Sequence, residues 1–142
     1  MLASHLLDTI PSIMREWRRE LHEGLPAGLS INQFRVLFFV SQGQEQAQYL
    51  ARHLGVTPAA MSKMIEALVQ KKLLRREPFA HDRRQIQLQL TASGKKTVHT
   101  VRGQVELRMQ RFLDELPVSQ QEQVQRALLL LQKAFASKEG GL

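Results

Sequence analysis

Eight cationic side chains fall between residues 50 and 84: Arg52, Lys63, Lys71, Lys72, Arg75, Arg76, Arg83 and Arg84. Three acids, Glu66, Glu77 and Asp82, oppose them, so this window carries +5 of the chain's +7 and the remaining residues only +2. Guanidinium and ammonium groups gathered in this way neutralise phosphates and release condensed counterions, as a polyanion-binding surface requires. On charge alone, a solvated basic face fits as well. The run Asp82-Arg83-Arg84 adds a chemical order, because an acid orients a neighbouring guanidinium by a charge-assisted pair. That leaves an arginine poised for a narrow, negative minor groove. Arg84 is the preferred minor-groove residue, with Arg83 and His81 reaching phosphates. A solvated ion pair on a surface turn is the plainer alternative.

Other chemistries find little support. With no cysteine, disulfides, cysteine-zinc sites and thiol redox sensing are excluded. The five histidines, His5, His22, His53, His81 and His99, are scattered without paired helical spacing, so no metal site is expected. No phosphate-cradling glycine loop, nucleophile elbow or metalloprotease helix motif is present, so neither an enzyme nor a cofactor is expected. The N-terminus lacks a signal-peptide pattern and no stretch approaches about 18 uninterrupted apolar residues, from which a cytoplasmic protein without membrane contact is expected.

The basic window must be held by helices and a hairpin. Leu50 and Leu54 mark a short helix around residues 46–54, ended by Gly55 in a left-handed position. Thr57 is a fitting N-cap and Pro58 fits the first turn of the next helix, whose core stripe is Met61, Met64, Ile65 and Leu68. Two helices joined through Leu54-Gly55-Val56 are a helix-turn-helix signature. Its outward face carries Thr57, Pro58, Ala59, Ser62 and Lys63, with Lys63 the best reader of guanine acceptors and Pro58 and Ala59 limited to thymine methyls or groove fit. After Leu73 the period changes to two, and Gln85 to Leu90 alternate as a half-buried strand paired with residues 74–77. Arg52, Arg75 and Arg76 are candidate phosphate contacts.

Amphipathic segments flank this lobe. Residues 4–22 place Leu6, Ile10, Ile13, Met14, Trp17 and Leu21 on one stripe, with Pro11 kinking that helix or marking its start. Ser30 and Gln33 form a capping-box pattern for a second helix that carries Phe34, Leu37 and Phe38 inward. Thr91 caps a long helix with Val98, Val101, Val105, Met109 and Phe112 as buried candidates. Ser119 and Glu122 repeat the capping box before a stripe of Val124, Leu128, Leu131 and Phe135, and Gly140 and Gly141 are read as a frayed end.

The expected fold is mainly α with a small β-hairpin (α+β): a winged helix-turn-helix over residues 30–91, flanked by N- and C-terminal dimerisation helices at 1–24 and 92–138. With 142 residues and 43% hydrophobic content, the chain suits a single domain. Leu128 to Leu131 offer more apolar surface than one narrow seam uses, so a symmetric homodimer is expected, with a closed monomeric bundle as the alternative. A two-fold pair would present two reading helices roughly 34 Å apart to successive major grooves of double-stranded DNA, on a roughly palindromic site. The rival is a winged-helix protein-interaction module that has lost specific DNA binding.

Residues 29–94 resemble the MarR (multiple antibiotic resistance regulator) family of transcription regulators. The resemblance rests on Gln33-Phe34 with Val36-Leu37, Leu50-Ala51, Leu54-Gly55-Val56, Leu68, Leu73, Arg76, Asp82 with Arg84, and Leu90-Thr91 with Gly94. It implies a single MarR-like domain over 1–142, a triangular homodimer joined through its terminal helices, and Asp82 and Arg84 as the wing motif. It also implies a repressor released by a small aromatic or phenolic anion bound between the dimer region and the DNA lobes. Trp17, Arg18, His22 and Phe38 are the candidate lining of such a pocket, although Trp17 also reads as a core or dimer residue. Two positions depart from the family. Lys72 replaces a usual glycine, where a left-handed backbone costs a non-glycine residue about 1 kcal/mol or more. Pro58-Ala59-Ala60 stand where relatives often carry polar or arginine residues.

Overall fold

Helix α1 runs from Leu2 to Gly24 with Pro11 inside it, so Pro11 does not mark the start. A proline here removes one backbone hydrogen bond and frees the carbonyl four residues earlier. That residue is Leu7, 74% exposed, where water can satisfy the carbonyl. The computed structural model describes residues 1–82 and 84–136. Arg83, and the glycine pair at 140 and 141 read as a frayed end, lie outside the described residues.

Local hydrogen bonds set the helix ends as the sequence implies. Ser30 Oγ accepts from the Gln33 N–H and the Gln33 side chain accepts from the Ser30 N–H, each at 3.1 Å, which opens α2 (Ile31–Ser41). Helix α3 (Ala47–Leu54) ends at Gly55, whose φ of +67° is readily adopted only without a Cβ. Helix α4 (Pro58–Gln70) follows immediately. Together α3 and α4 are the helix-turn-helix.

The end of α4 is built on Lys72, the one described non-glycine residue with positive φ, at +58°. Its N–H donates to the Val69 carbonyl at 2.9 Å and the Leu73 N–H to the Leu68 carbonyl at 3.0 Å. These two bonds make a Schellman turn, normally completed by glycine. The left-handed geometry is therefore kept although the glycine is not.

Strands β1 (Leu74–Pro78) and β2 (Ile86–Leu90) pair antiparallel, with Leu74 opposite Leu90 and Arg76 opposite Leu88. The Leu88 N–H also donates to the Glu45 carbonyl at 2.9 Å, pinning the α2–α3 connection to the hairpin. Leu88 and Leu90 are buried, but Ile86 at the tip is 55% exposed, so the alternation expected from sequence fades toward the wing end.

Helix α5 (Ala92–Asp114) starts on Thr91, whose hydroxyl accepts from the Gly94 N–H at 3.0 Å and donates to the Lys72 carbonyl at 2.6 Å. The Thr91 N–H donates to the Leu73 carbonyl at 3.2 Å. A Cβ on Gly94 would lie 2.0 Å from that same carbonyl oxygen, so this approach requires glycine. The core gathers Leu37, Leu50, Met61, Leu68 and Leu74 with Leu21, Val98, Val101 and Val105. Phe34, Val36, Leu37 and Val40 are the buried positions of α2, whereas Phe38 is only half-buried.

The chain divides into two compact units, the first ending at Val105. The second begins at Glu106 and holds the last turns of α5 and all of α6 (Val118–Ala136). Helix α6 starts one residue before Ser119, with the Pro117 carbonyl accepting from Gln120 and Gln121, so the capping box expected at Ser119 is not the start. No α6 residue is buried. Leu128, Leu129, Leu130 and Phe135 are 59–69% exposed, and Phe112, expected inside, is 46% exposed.

Candidate nucleic-acid interface

Thr57 Oγ1 accepts from the Ala60 N–H at 3.1 Å, satisfying one of the orphan amides at the start of α4, and Pro58 occupies the first turn. This cap sets the rotation of the helix. Met61, Ile65 and Leu68 turn into the core, so Thr57, Pro58, Ala59, Ser62 and Lys63 are all exposed on the opposite side. The structure thus brings the five proposed reading residues onto one face. Glu66 is exposed at the next turn of that face, three residues after Lys63. Its spacing was visible in the sequence, and its charge opposes phosphate while its oxygens suit a cytosine amino group.

The wing differs in detail from the sequence reading. Asp82 Oδ1 accepts from the Arg84 backbone N–H at 3.0 Å, and among the described residues this is its only partner. The carboxylate therefore shapes the turn and does not orient the Arg84 guanidinium. The Gln85 N–H donates to the Asp82 carbonyl at 3.1 Å and the Phe79 N–H to the Gln85 carbonyl at 2.8 Å, which closes the tip. His81, Asp82 and Arg84 are exposed there, and the proposed role of Arg83 lies outside the described residues.

The three proposed phosphate contacts separate. Arg52 is exposed on α3. Arg75 is engaged, with Nε 2.9 Å from Glu77 Oε1 and a guanidinium hydrogen bond to Gln89 Oε1 at 2.9 Å. Strand alternation turns Arg76 to the other side of the hairpin from Arg75. Lys71 is also engaged, donating to the Gly28 carbonyl and to Gln33 Oε1. Among the described residues, Arg52, Lys63, Lys72, Arg76 and Arg84 have exposed side chains without a protein partner.

The residues suggested for a ligand pocket are not gathered by any ring contact. Trp17 is half-buried, one turn from the buried Leu21, while Arg18 and His22 are exposed. Phe38 stacks on Phe34 at 6.4 Å, meets Phe39 edge-on at 5.8 Å, and lies under the Arg102 guanidinium at 5.5 Å. Among the described residues no cluster of three or more histidine, aspartate or glutamate side chains is arranged to hold a metal ion. No described helix is long and apolar enough to cross a membrane.

Residues 27–85 match the model described as "MarR family". Over 87 residues the chain is 31% identical to the uncharacterized HTH-type transcriptional regulator YpoP of Bacillus subtilis, covering 61% of this chain and 62% of YpoP. The chain thus matches less than two thirds of that relative's length. The crystal structure of RV1404 from Mycobacterium tuberculosis superposes with a TM-score of 0.76 at 25% identity, covering 94% of this chain and 90% of that one. A point mutant of S. aureus MepR bound to an oligodeoxyribonucleotide shares the fold at a TM-score of 0.59 and 23% identity, covering 93% of this chain and 96% of that one. The matched segment contains both helices of the helix-turn-helix and the first strand of the wing, and over it this chain is similar to the MarR family of winged helix-turn-helix transcription regulators.

Proposed function

We propose that the chain is a DNA-binding transcription regulator that works as a homodimer in the cytoplasm and represses from a roughly palindromic operator. The observation that carries the reading is the set of exposed cations without protein partners on α3, α4 and the hairpin. A cation held in an internal pair gains little by meeting a phosphate; these five have no such pair to break. The face of α4 with Thr57, Pro58, Ala59, Ser62 and Lys63 enters the major groove, and Lys63 reads guanine. His81 and Arg84 work from the wing, where Arg84 fits a narrow minor groove. The oligodeoxyribonucleotide held by the MepR mutant supports this use of the fold.

The exposed apolar residues of α1 (Leu2, Leu7, Ile10, Ile13) and of α6 support the homodimer, since surface of this kind is normally covered. Release by a small aromatic anion near Trp17, Arg18, His22 and Phe38 is part of the proposal. Arg102 over the Phe38 ring supplies a cation there. The test is Arg84→Ala in a duplex-binding assay with a selected operator. Affinity should fall by tenfold or more with the melting curve unchanged, whereas normal affinity removes the wing from the mechanism. If wild-type protein shows no affinity for any duplex at low salt, the interaction-module reading replaces this one.

A further inference from the structure

Of the three acids in the basic window, the structure engages two. Glu77 Oε1 lies 2.9 Å from Arg75 Nε, and Asp82 Oδ1 accepts from the Arg84 N–H at 3.0 Å. Glu66 is exposed on α4 and, among the described residues, has no protein partner. Lys63, three residues earlier, is also without a partner, so the two do not pair. Nor does Glu66 serve the helix end. It sits in the third turn of α4, whereas the cap is Thr57 and the helix dipole favours an acid only in the first turn. A carboxylate with no structural duty is out of place on a surface that gathers phosphates, because it repels them wherever the protein sits on the duplex.

The helix geometry sets what this carboxylate can meet. Three residues of α-helix turn roughly 60° and advance about 4.5 Å, so Glu66 lies beside Lys63 on the face turned away from Met61, Ile65 and Leu68. Helical side chains lean toward the N-terminus, which carries the Glu66 carboxylate over the turn that holds Ser62 and Lys63. The advance of about 4.5 Å is comparable with the step of about 3.4 Å between base pairs. An ammonium on one base pair and a carboxylate on the next therefore fit one major groove. There the carboxylate needs a donor, and cytosine offers its N4 amino group. Guanine and thymine present acceptors, and adenine sets its N7 acceptor beside its amino group.

We infer that Glu66 is a specificity-determining residue: it accepts from the amino group of a cytosine next to the guanine met by Lys63, and it repels the duplex elsewhere. The inference rests on the regulator reading above and goes beyond it. Lys63 is attracted to any guanine and to any phosphate, so it raises affinity with limited selectivity. Glu66 is attracted at cytosine alone, and the repulsion at other sites widens the gap between operator and random duplex.

The test compares the full chain with its Glu66→Ala and Glu66→Gln variants at one low salt concentration. Selection from a random duplex library should give wild type a C·G pair at one position of each half-site, and Glu66→Ala should show no preference there while keeping the other positions. Changing that pair to T·A should weaken wild type at least fivefold and Glu66→Ala less than twofold. Both variants remove the charge, so both should bind random duplex at least threefold more tightly than wild type. Glu66→Gln, which gains a donor beside its acceptor, should admit adenine at the same position. A purely structural residue would lower affinity for operator and random duplex alike and would lower the melting temperature. An unchanged motif from Glu66→Ala overturns the cytosine contact, and random-duplex affinity that is unchanged or lower in both variants overturns the repulsion. Wild type that binds duplex while both variants match it in motif and affinity overturns this inference and leaves the regulator reading intact. Wild type indifferent to every duplex overturns both.

Discussion

Replacing Lys72 with glycine should push stability and DNA affinity in opposite directions. Lys72 holds φ at +58° in the turn that ends α4, a conformation that costs an L-residue with a Cβ about 1–2 kcal/mol. Glycine removes that cost but adds freedom to the unfolded chain, worth about 0.5–1 kcal/mol against it. The two turn hydrogen bonds are backbone bonds and survive the change. The net expectation is a gain of about 0.5–1 kcal/mol, read as a higher urea midpoint at unchanged slope and fixed protein concentration. The same substitution deletes one exposed cation per protomer. If that cation meets phosphate, the slope of log affinity against log salt should flatten by about 0.9 per contact, or about 1.8 for a dimer. Lys72→Asn serves as control, because asparagine tolerates the left-handed region better than most residues yet also lacks the charge. A Lys72→Gly protein that is less stable than wild type would refute the turn argument. A stabilised protein with an unaltered salt slope would remove Lys72 from the DNA surface.

Three further outcomes follow from the same contacts. Gly94→Ala drives a Cβ to 2.0 Å from the Leu73 carbonyl oxygen and strains the Thr91 hydrogen bonds beside it. It should cost about 3–5 kcal/mol in urea unfolding, beyond the usual overpacking range because backbone has to move. Asp82→Ala frees the Arg84 N–H at an exposed tip, so fold stability should change by less than about 0.5 kcal/mol. Duplex affinity should nevertheless fall several-fold, with Asp82→Asn retaining most of it because its amide oxygen still accepts. Lys63→Ala should shift the base preference returned by selection from a random duplex library; the same motif from both proteins would exclude Lys63 as a reader.

Much of the fold was legible because local chemistry sets it. The Ser30–Gln33 box, the Thr57–Pro58 start, Gly55 and the alternation before Thr91 each act within a few residues, and the structure realises each of them, the alternation over Gln87 to Leu90. Features that depend on distant partners were not. Lys71 read as one more cation of the basic window, but it reaches back to Gly28 and Gln33. Gly94 read as part of a motif, and only the path of α5 past Leu73 shows why no Cβ fits there. Asp82 next to two arginines suggested an ion pair, yet for Arg84 the backbone N–H two residues on is nearer than the long side chain. For the reading face, the period of α4 was enough, because burial of Met61, Ile65 and Leu68 leaves Ser62 and Lys63 outside. The five cations could be counted in the sequence, but which of the eight were already occupied could not.

The most direct measurement is duplex affinity as a function of salt. If Arg52, Lys72 and Arg76 of each protomer meet phosphates in a dimer, six contacts give a slope of about −5. Affinity should then fall about a thousandfold between roughly 50 and 200 mM salt, for a random duplex as well as for a selected operator. A purified protein whose affinity is flat across that range, or that stays monomeric and ignores duplex at the lowest salt, contradicts the account.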